Sequence, residues 1–575
     1  MTAHPAFILF ATALLVRLSR GRVRAGFLLA ASVVALVAAS SLSSGVHWSY
    51  TVGTYQLQLL RVDPLSHLFG LIFALIMAIG ALYAVHAVRA GEHAATLVYA
   101  GGALGVVYAG DWVSAFAWWE LMAMSSLVVV WSGGTDRARA AGFRYLFVHI
   151  AGGALFFAGL AVHLSGGGSQ ELGPLGEAGG WAYGLILLGV AVNAAIPPLH
   201  AWLPDAYPEA SITGTVFLSA FTTKTAVYLL IRVFPGSDLL LWAGVVMALY
   251  GVVYAVLEND IRRLLGYHII SQVGYMVAAV GLGTPLALAG AAAHAFCHIL
   301  YKAVLLMGAG AVMQATGRRT LTELGGIWRQ MPVVVVLYFV GALSISGAPL
   351  FNGFISKSMI ITAAGDEGRG VAELLLTLAS IGTFLHTGLK LPYFTFFGPS
   401  RGLRVTPVPV NMMAAMGVAA VCCIALGVFP GWLYARLPTA TAIEYHPYTL
   451  DHVVGALQLL GGTALGFWWL LDKLKGQATE SLDTDWFYRT PLPVAIAWAV
   501  DAAAATGRFA HAASVRAVGD AARFAANPME GLGWLVSGSG DAAMSSYDEN
   551  RYRFPIGVTV LWVVVALGVL ALWVR

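Results

Sequence analysis

Apolar runs of membrane-crossing length recur along almost the whole chain. They fall near residues 5–16, 25–43, 64–88, 94–109, 112–131, 145–165, 181–204, 211–233, 238–257, 264–283, 285–314, 332–363, 371–397, 409–433, 451–472 and 555–573, about sixteen spans in all. A hydrocarbon layer of roughly 30 Å needs about 20 residues of helix, so the first run is short for a span. Only 10% of the residues are charged, against about 25% in a soluble domain. In lipid each span must satisfy its own backbone, which leaves helices or closed barrels. The runs are too long and too evenly apolar for barrel strands, which alternate. The expected fold class is therefore an all-α polytopic membrane protein. The N-terminus shows no small-residue cleavage site and reads as a first span rather than a removed signal.

The arginines orient the spans. Arg17, Arg20, Arg22 and Arg24 follow span one, and Arg137, Arg139 and Arg144 follow span five. Arg262 and Arg263 follow span nine; Arg318, Arg319 and Arg329 follow span eleven; Arg401 and Arg404 follow span thirteen. All these loops share one side, which the positive-inside rule makes cytoplasmic. Both termini are then expected on the outer side of a bacterial inner membrane. Between residues 473 and 554 the chain turns polar and alanine-rich, with Asp501, Arg508, His511, Arg516, Asp520 and Arg523 among the alanines. It reads as a long helix on the cytoplasmic surface, or else a loosely ordered tail, ahead of a terminal anchor span.

Two spans carry mid-membrane breaks, at Pro197-Pro198 and at Ser344-Ile345-Ser346-Gly347-Ala348-Pro349. Proline removes a backbone donor and frees a carbonyl. Irregular backbone at membrane depth has to face protein or water. A pair of interrupted helices five spans apart points to a repeated transporter fold with sites at the breaks.

Ionisable side chains inside spans cost roughly 3 kcal/mol or more and need a reason. Glu120 lies in AFAWWELMAMSSL and Lys224 in the middle of AFTTKTAVYLL, opposite charges that can pair, interact through water or simply clamp two helices. His294, His298 and Lys302 recur at i, i+4, i+8 in HAFCHILYK, on one helical face. Imidazoles titrate near neutral pH and relay protons. Lys357 follows the second break. His386 and Lys390 share a face of the next span, as an exit route or, for Lys390, a side chain snorkelling to the edge. His200 and Asp205 flank the first break, and His268 lies between the halves. His149 reads as a packing residue. No phosphate loop, zinc or iron–sulfur spacing or nucleophile elbow occurs. Cys422 and Cys423 lie within an apolar span. No cofactor, metal or catalytic residue is expected.

The motifs WWELMAMSS, PPLHAWLPDAYPEA, KTAVYLLIR, DIRRLLGYHIISQVGYM, HAFCHILYKAVLLMGAG and SGAPLFNGFISK resemble the antiporter-like subunits of respiratory complex I and of Mrp-type multisubunit Na+/H+ antiporters. The similarity covers residues 60–400 and is nearest to the Mrp D subunit and to the antiporter-like subunits of membrane-bound hydrogenases. It implies two inverted five-helix repeats, each with a discontinuous helix, plus a lateral helix and anchor. It further implies that Glu120 modulates the first half-channel and that Lys224 connects the halves. His294, His298 and Lys302 would form the polar axis of the second half, and Lys357 its ionisable centre. The first broken helix of most relatives carries a lysine where this chain has Asn193, which holds no proton charge.

The expected layout is N-terminal helices at 1–92, a first repeat at 93–257, a second at 258–400, further spans at 401–472, the lateral segment at 473–554 and an anchor at 555–575. The expected function is proton translocation, possibly with Na+ exchange, in a complex with other membrane subunits. The resemblance leaves open a place in an NADH:quinone oxidoreductase-like or hydrogenase-like complex. Rival readings are a membrane subunit for inorganic-carbon uptake, or a scaffold with a silent first half. A standalone carrier of organic solutes fits poorly, because the ionisable residues form a line rather than a pocket.

Overall fold

The computed structural model describes residues 3–176, 180–438, 444–477, 481–528, 532, 533, 536 and 556–573. Much of the stretch between 529 and 555, part of the expected lateral segment, lies outside the described residues.

The chain is mostly helical. It begins with α1 (Pro5–Leu18) and α2 (Gly21–Ser40), followed by a hairpin of β1 (Gly45–Val52) and β2 (Tyr55–Val62). Then come α3 (Pro64–Ala84), α4 (Ala90–Tyr108), α5 (Trp112–Trp131), α6 (Asp136–Ser165), α7 (Gly180–Ala194) and α8 (Trp202–Ala206). α9 (Gly214–Ala220), α10 (Thr222–Val233), α11 (Asp238–Leu257), α12 (Ile261–Leu282) and α13 (Pro285–Thr316) follow. The remainder of the bundle is α14 (Pro332–Ser346), α15 (Asn352–Asp366), α16 (Gly370–Thr383), α17 (Val410–Val428), α18 (Gly431–Tyr434) and α19 (Leu450–Leu470). Among the described residues, twelve helices are long and apolar enough to cross a membrane, and α1, α7 and α14 are shorter apolar helices.

Helix starts follow local chemistry. Asp63 and Ser66 cap α3 reciprocally, the Ser66 amide donating to Asp63 Oδ1 at 2.9 Å and the Asp63 amide to Ser66 Oγ at 2.8 Å. Asp111 caps α5 and Asp260 caps α12. The bundle is organised around α12 and α13, which are buried at nearly every position. α12 packs between α11 and α13, and α13 also touches α3, α14, α15 and α17. A helix buried all round can carry polar groups only where other protein groups receive them, and these two carry four of the candidate residues.

Three features depart from the sequence expectation. The fold is not purely α: the stretch GVHWSYTVGTYQLQLLRV forms an antiparallel hairpin turned at Gly53, where φ is +62°. It caps the ends of α4 and α5, with the Gln58 amide donating to Asp111 Oδ2 at 2.7 Å. The span expected at 211–233 is interrupted at Phe221, because the Thr222 amide donates to the Tyr99 hydroxyl at 3.0 Å instead of continuing the helical ladder. Lys224 thus sits at the start of α10, not in mid-helix. The span expected at 371–397 widens into π-turns at Phe384–Lys390 and Tyr393–Phe397.

From Trp486 onward the described residues form a second compact unit. α20 (Asp485–Arg489) starts at the boundary, and within the second unit α21 (Pro491–Ala526) runs unbroken for 36 residues with no buried side chain. The last helix is α22 (Ile556–Trp573).

Candidate functional site

Backbone interruptions build the site. α7 ends at Ala195, whose φ is +58°, and the Val192 carbonyl accepts from the Ala195 amide at 3.1 Å and from the Trp202 indole at 2.9 Å. α14 ends on Gly347, where φ of +74° suits a residue without a side chain. At this break Lys357 Nζ donates to the Ile345 carbonyl at 2.8 Å and to Ser380 Oγ at 3.2 Å. At the α9–α10 interruption Lys224 Nζ donates to the Ser219 carbonyl at 2.7 Å and to Thr223 Oγ1 at 3.0 Å. Lys302 Nζ donates to the Leu265 carbonyl at 3.1 Å. Lys390, 2% exposed, donates to the Val256 carbonyl at 2.5 Å at the end of α11. It is buried instead of reaching solvent. All four buried ammonium groups therefore lean on carbonyls; those of Ser219, Ile345 and Val256 lie at helix C-termini, where the dipole favours a cation, whereas Leu265 lies near the start of α12. None of the four is in salt-bridge contact with a carboxylate among the described residues.

The segment from α12 to the π-turn at Phe384–Lys390 gathers most of the expected residues. His294 Nδ1 lies 3.0 Å from Ser356 Oγ, one residue before Lys357. The Lys357 ammonium stands 5.2 Å over the Tyr275 ring. The His294 and His298 rings are 6.4 Å apart, and His298 is 5.2 Å from Tyr301. Tyr301 donates to Gln272 at 3.3 Å, and Gln272 donates to Thr383 at 3.3 Å. His268 and His386 face each other at 5.8 Å. The ring nitrogens of His268, His298 and His386 are buried without a hydrogen-bond partner among the described residues. Lys224 lies within electrostatic reach of Lys302 and His298, which joins it to this group. In front of Lys357 a cavity of about 230 Å³ runs along α15, α16 and α19 to Asp451 and His452.

The other candidates that precede α11 each have separate contacts. Glu120 is half-buried against α6, where its Oε1 occupies the space that a Cβ on Gly153 would fill. It makes no ion pair with Lys224, because Lys224 is turned to the carbonyl of Ser219. Asn193, 1% exposed, has an unpartnered Nδ2. Asp205 binds Arg144 through two bonds of 2.6 and 2.9 Å. His200 contacts Asp483 at 3.2 Å. His149 stacks on Tyr145 with ring centroids at 3.8 Å and meets Trp202 edge-on, a packing role as expected.

Several buried polar residues were not singled out from the sequence. Tyr99 and Thr222 share a hydrogen bond of 2.6 Å, and Ser126 and Tyr145 one of 2.7 Å, a hydroxyl cluster beside the α9–α10 interruption. Hydroxyls in apolar helices carry no charge signal and escaped notice. Glu92 accepts from Ser211 Oγ at 2.5 Å and from Thr213 Oγ1. It sits in a first helical turn after Arg89, where acidic residues are ordinary. Arg262, 4% exposed, donates to the carbonyls of Tyr207, Ala210 and Ser211. Asp483 lies in a polar connector and had no motif to mark it.

Residues 109–385 match the family described as NADH:quinone oxidoreductase/Mrp antiporter, TM. A Rhizobium meliloti protein named as the A/B subunit of a probable K(+)/H(+) antiporter is 30% identical over 458 residues, 71% of this chain and 45% of that one. The chain thus spans less than half of that relative's length. An uncharacterised protein of Methanocaldococcus jannaschii is 30% identical over 359 residues, 58% of this chain and 74% of that one. A chain in the structure of the membrane-bound sulfane sulfur reductase, an archaeal respiratory membrane complex, superposes with a TM-score of 0.71 at 22% identity, covering 99% of both chains. At that identity the likeness establishes the fold alone. This chain belongs to the NADH:quinone oxidoreductase/Mrp antiporter transmembrane family.

Proposed function

We propose that the chain is a proton-translocating subunit of a multisubunit membrane complex and that its second half carries the proton route. The observation that carries this reading is Lys357. Its ammonium sits on a freed helix carbonyl, with the His294–Ser356 contact on one flank and the cavity leading to Asp451 and His452 on the other. A carbonyl accepts from either an ammonium or an amine, so the proton is not pinned as it would be by a carboxylate. A proton passes from His298 or Lys302 by way of His294 to the neutral Lys357 amine. The resulting ammonium releases it to water in the cavity. The buried imidazole nitrogens need hydrogen-bond partners, and water bridging rings 5–6 Å apart would supply them. Lys224 links this axis to the first half.

The layout follows the same reading: two inverted five-helix repeats at 93–257 and 258–400 within about sixteen spans, helices at 1–92 and 401–472, a lateral segment at 473–554 and an anchor at 555–575. The arginine-rich loops face the cytoplasm of a bacterial cell and both termini face outward. A cation exchanged against protons is in keeping with the name of the Rhizobium relative. Other hydrophobic subunits are the partners. Asn193 favours a second reading for one half only, in which the first break is silent and structural.

Proton transport in membrane vesicles tests the reading. Lys357→Ala is expected to lower transport at least about tenfold, the scale of a lost proton carrier, while Asn193→Lys retains it. Full transport in Lys357→Ala would overturn the proposal.

A further inference from the structure

The connector between α19 and α21 folds back onto the first break. Asp483 is inserted between α11, α12 and the segment that follows α7. Its side chain and that of His200 are both 0% exposed, with His200 Nε2 3.2 Å from Asp483 Oδ1. Tyr267 donates to Asp483 Oδ2 at 2.5 Å and Tyr250 donates to Oδ1. On either side, the Leu482 carbonyl accepts from Tyr254 at 3.0 Å, and Thr484 Oγ1 donates to the Pro198 carbonyl at 3.4 Å. The Tyr250 ring meets His200 edge-on at 4.6 Å.

The charges around this contact are few. Tyr250, Tyr254 and Glu258 face it from α11 and its following turn, Arg263 and Tyr267 from α12, and Asp485 from the connector. Arg263 is bound by Glu258 at 2.9 Å. His200 is therefore the group in direct contact with Asp483, among the described residues, that can take up a proton and become a cation. Burial opposes ionisation of Asp483, but His200 and the two phenols outweigh it and hold the carboxyl below the usual range. A buried carboxylate is tolerated only while paired and hydrogen-bonded.

We propose that Asp483 is a positioning residue for His200 and that their contact is a protonation-dependent latch between the connector and the first break. While His200 is an imidazolium, residues 481–485 stay docked. When it releases its proton to water at the arginine-rich face, the carboxylate is left against a neutral ring and the connector withdraws. The connector that leads to α21 thereby reports the protonation state of the first break. The latch goes beyond the Lys357 route and does not depend on it.

The test uses the full chain in its assembled complex in lipid nanodiscs. Thr484→Cys, half-buried when docked, is labelled with a water-soluble maleimide and referred to the exposed Leu482→Cys at the same pH, so that thiol ionisation cancels. The 484/482 labelling ratio is expected to rise about fivefold between pH 5 and 8, the range in which imidazole titrates. With His200→Gln or Asp483→Asn added it is expected to be high at both ends, and Asp483→Glu to restore part of the rise. Lys357→Ala should lower transport as above and leave the labelling profile unchanged. A ratio flat with pH in the native background overturns the latch, as does a rise that survives His200→Gln. If one variant does not assemble, the native profile and the other variant decide.

Discussion

Lysine chemistry governs the molecule at the scale of single residues. Lys224, Lys302, Lys357 and Lys390 each rest on backbone carbonyls. Fixed dipoles stabilise the charged form without supplying a competing base, which suits a group that must gain and lose a proton. The same geometry separates Glu120 from Lys224, which the sequence left free to pair. Glu120→Gln and Lys224→Ala are accordingly expected to act additively on transport. The coupling in a double-mutant cycle should stay within about 0.5 kcal/mol, the scatter seen for residues that share no contact. A larger coupling would mean that the two side chains meet in some state of the cycle.

At the scale of elements, helix ends and interruptions do the positioning. Arg262 ties the start of α12 to three carbonyls of the turn after α8. Arg262→Met would leave the Ala210 carbonyl buried without its donor, while the Tyr207 and Ser211 carbonyls keep Thr215, and should lower stability by about 1 to 3 kcal/mol, read as a fall in the thermal midpoint of the solubilised protein. Glu258, in the turn between α11 and α12, is pushed up to about 7 by burial, against the opposing pull of Arg263. A carboxyl raised above its unfolded value favours the folded state when protonated. Its contribution is full below about pH 4.5 and is lost as pH rises to about 7, on the order of 3 kcal/mol. Glu258→Gln should flatten that part of the stability profile measured between pH 5 and 8. A profile unchanged by the substitution would contradict the assignment.

Across the whole molecule, the arginine bias predicts sidedness. Cysteines placed at 402 and 317 should react with an impermeant reagent from the cytoplasmic face, and one at 167 from the outer face. Reaction of 402 and 167 from the same face would break the span order. Isolation of the chain from gently solubilised membranes should bring other hydrophobic subunits with it, the outcome that the proposed place in a multisubunit complex requires.

Hydropathy runs, the arginine loops and the two proline-marked breaks were legible in the chain because lipid forces each span to satisfy its backbone locally. Titratable residues in apolar stretches, from His294 to Lys357, stood out for the same reason. The hairpin at 45–62 had its signal, alternating β-formers around Gly53, but lay outside the spans that organised the reading. The interruption at Phe221 had none, since it arises from the Tyr99 hydroxyl of another helix. Which lysine meets which carbonyl, the separation of Glu120 from Lys224, and the docking of Asp483 on His200 across 283 positions of chain depend on contacts between distant segments. Local sequence carries no trace of such contacts; only the packed bundle decides them.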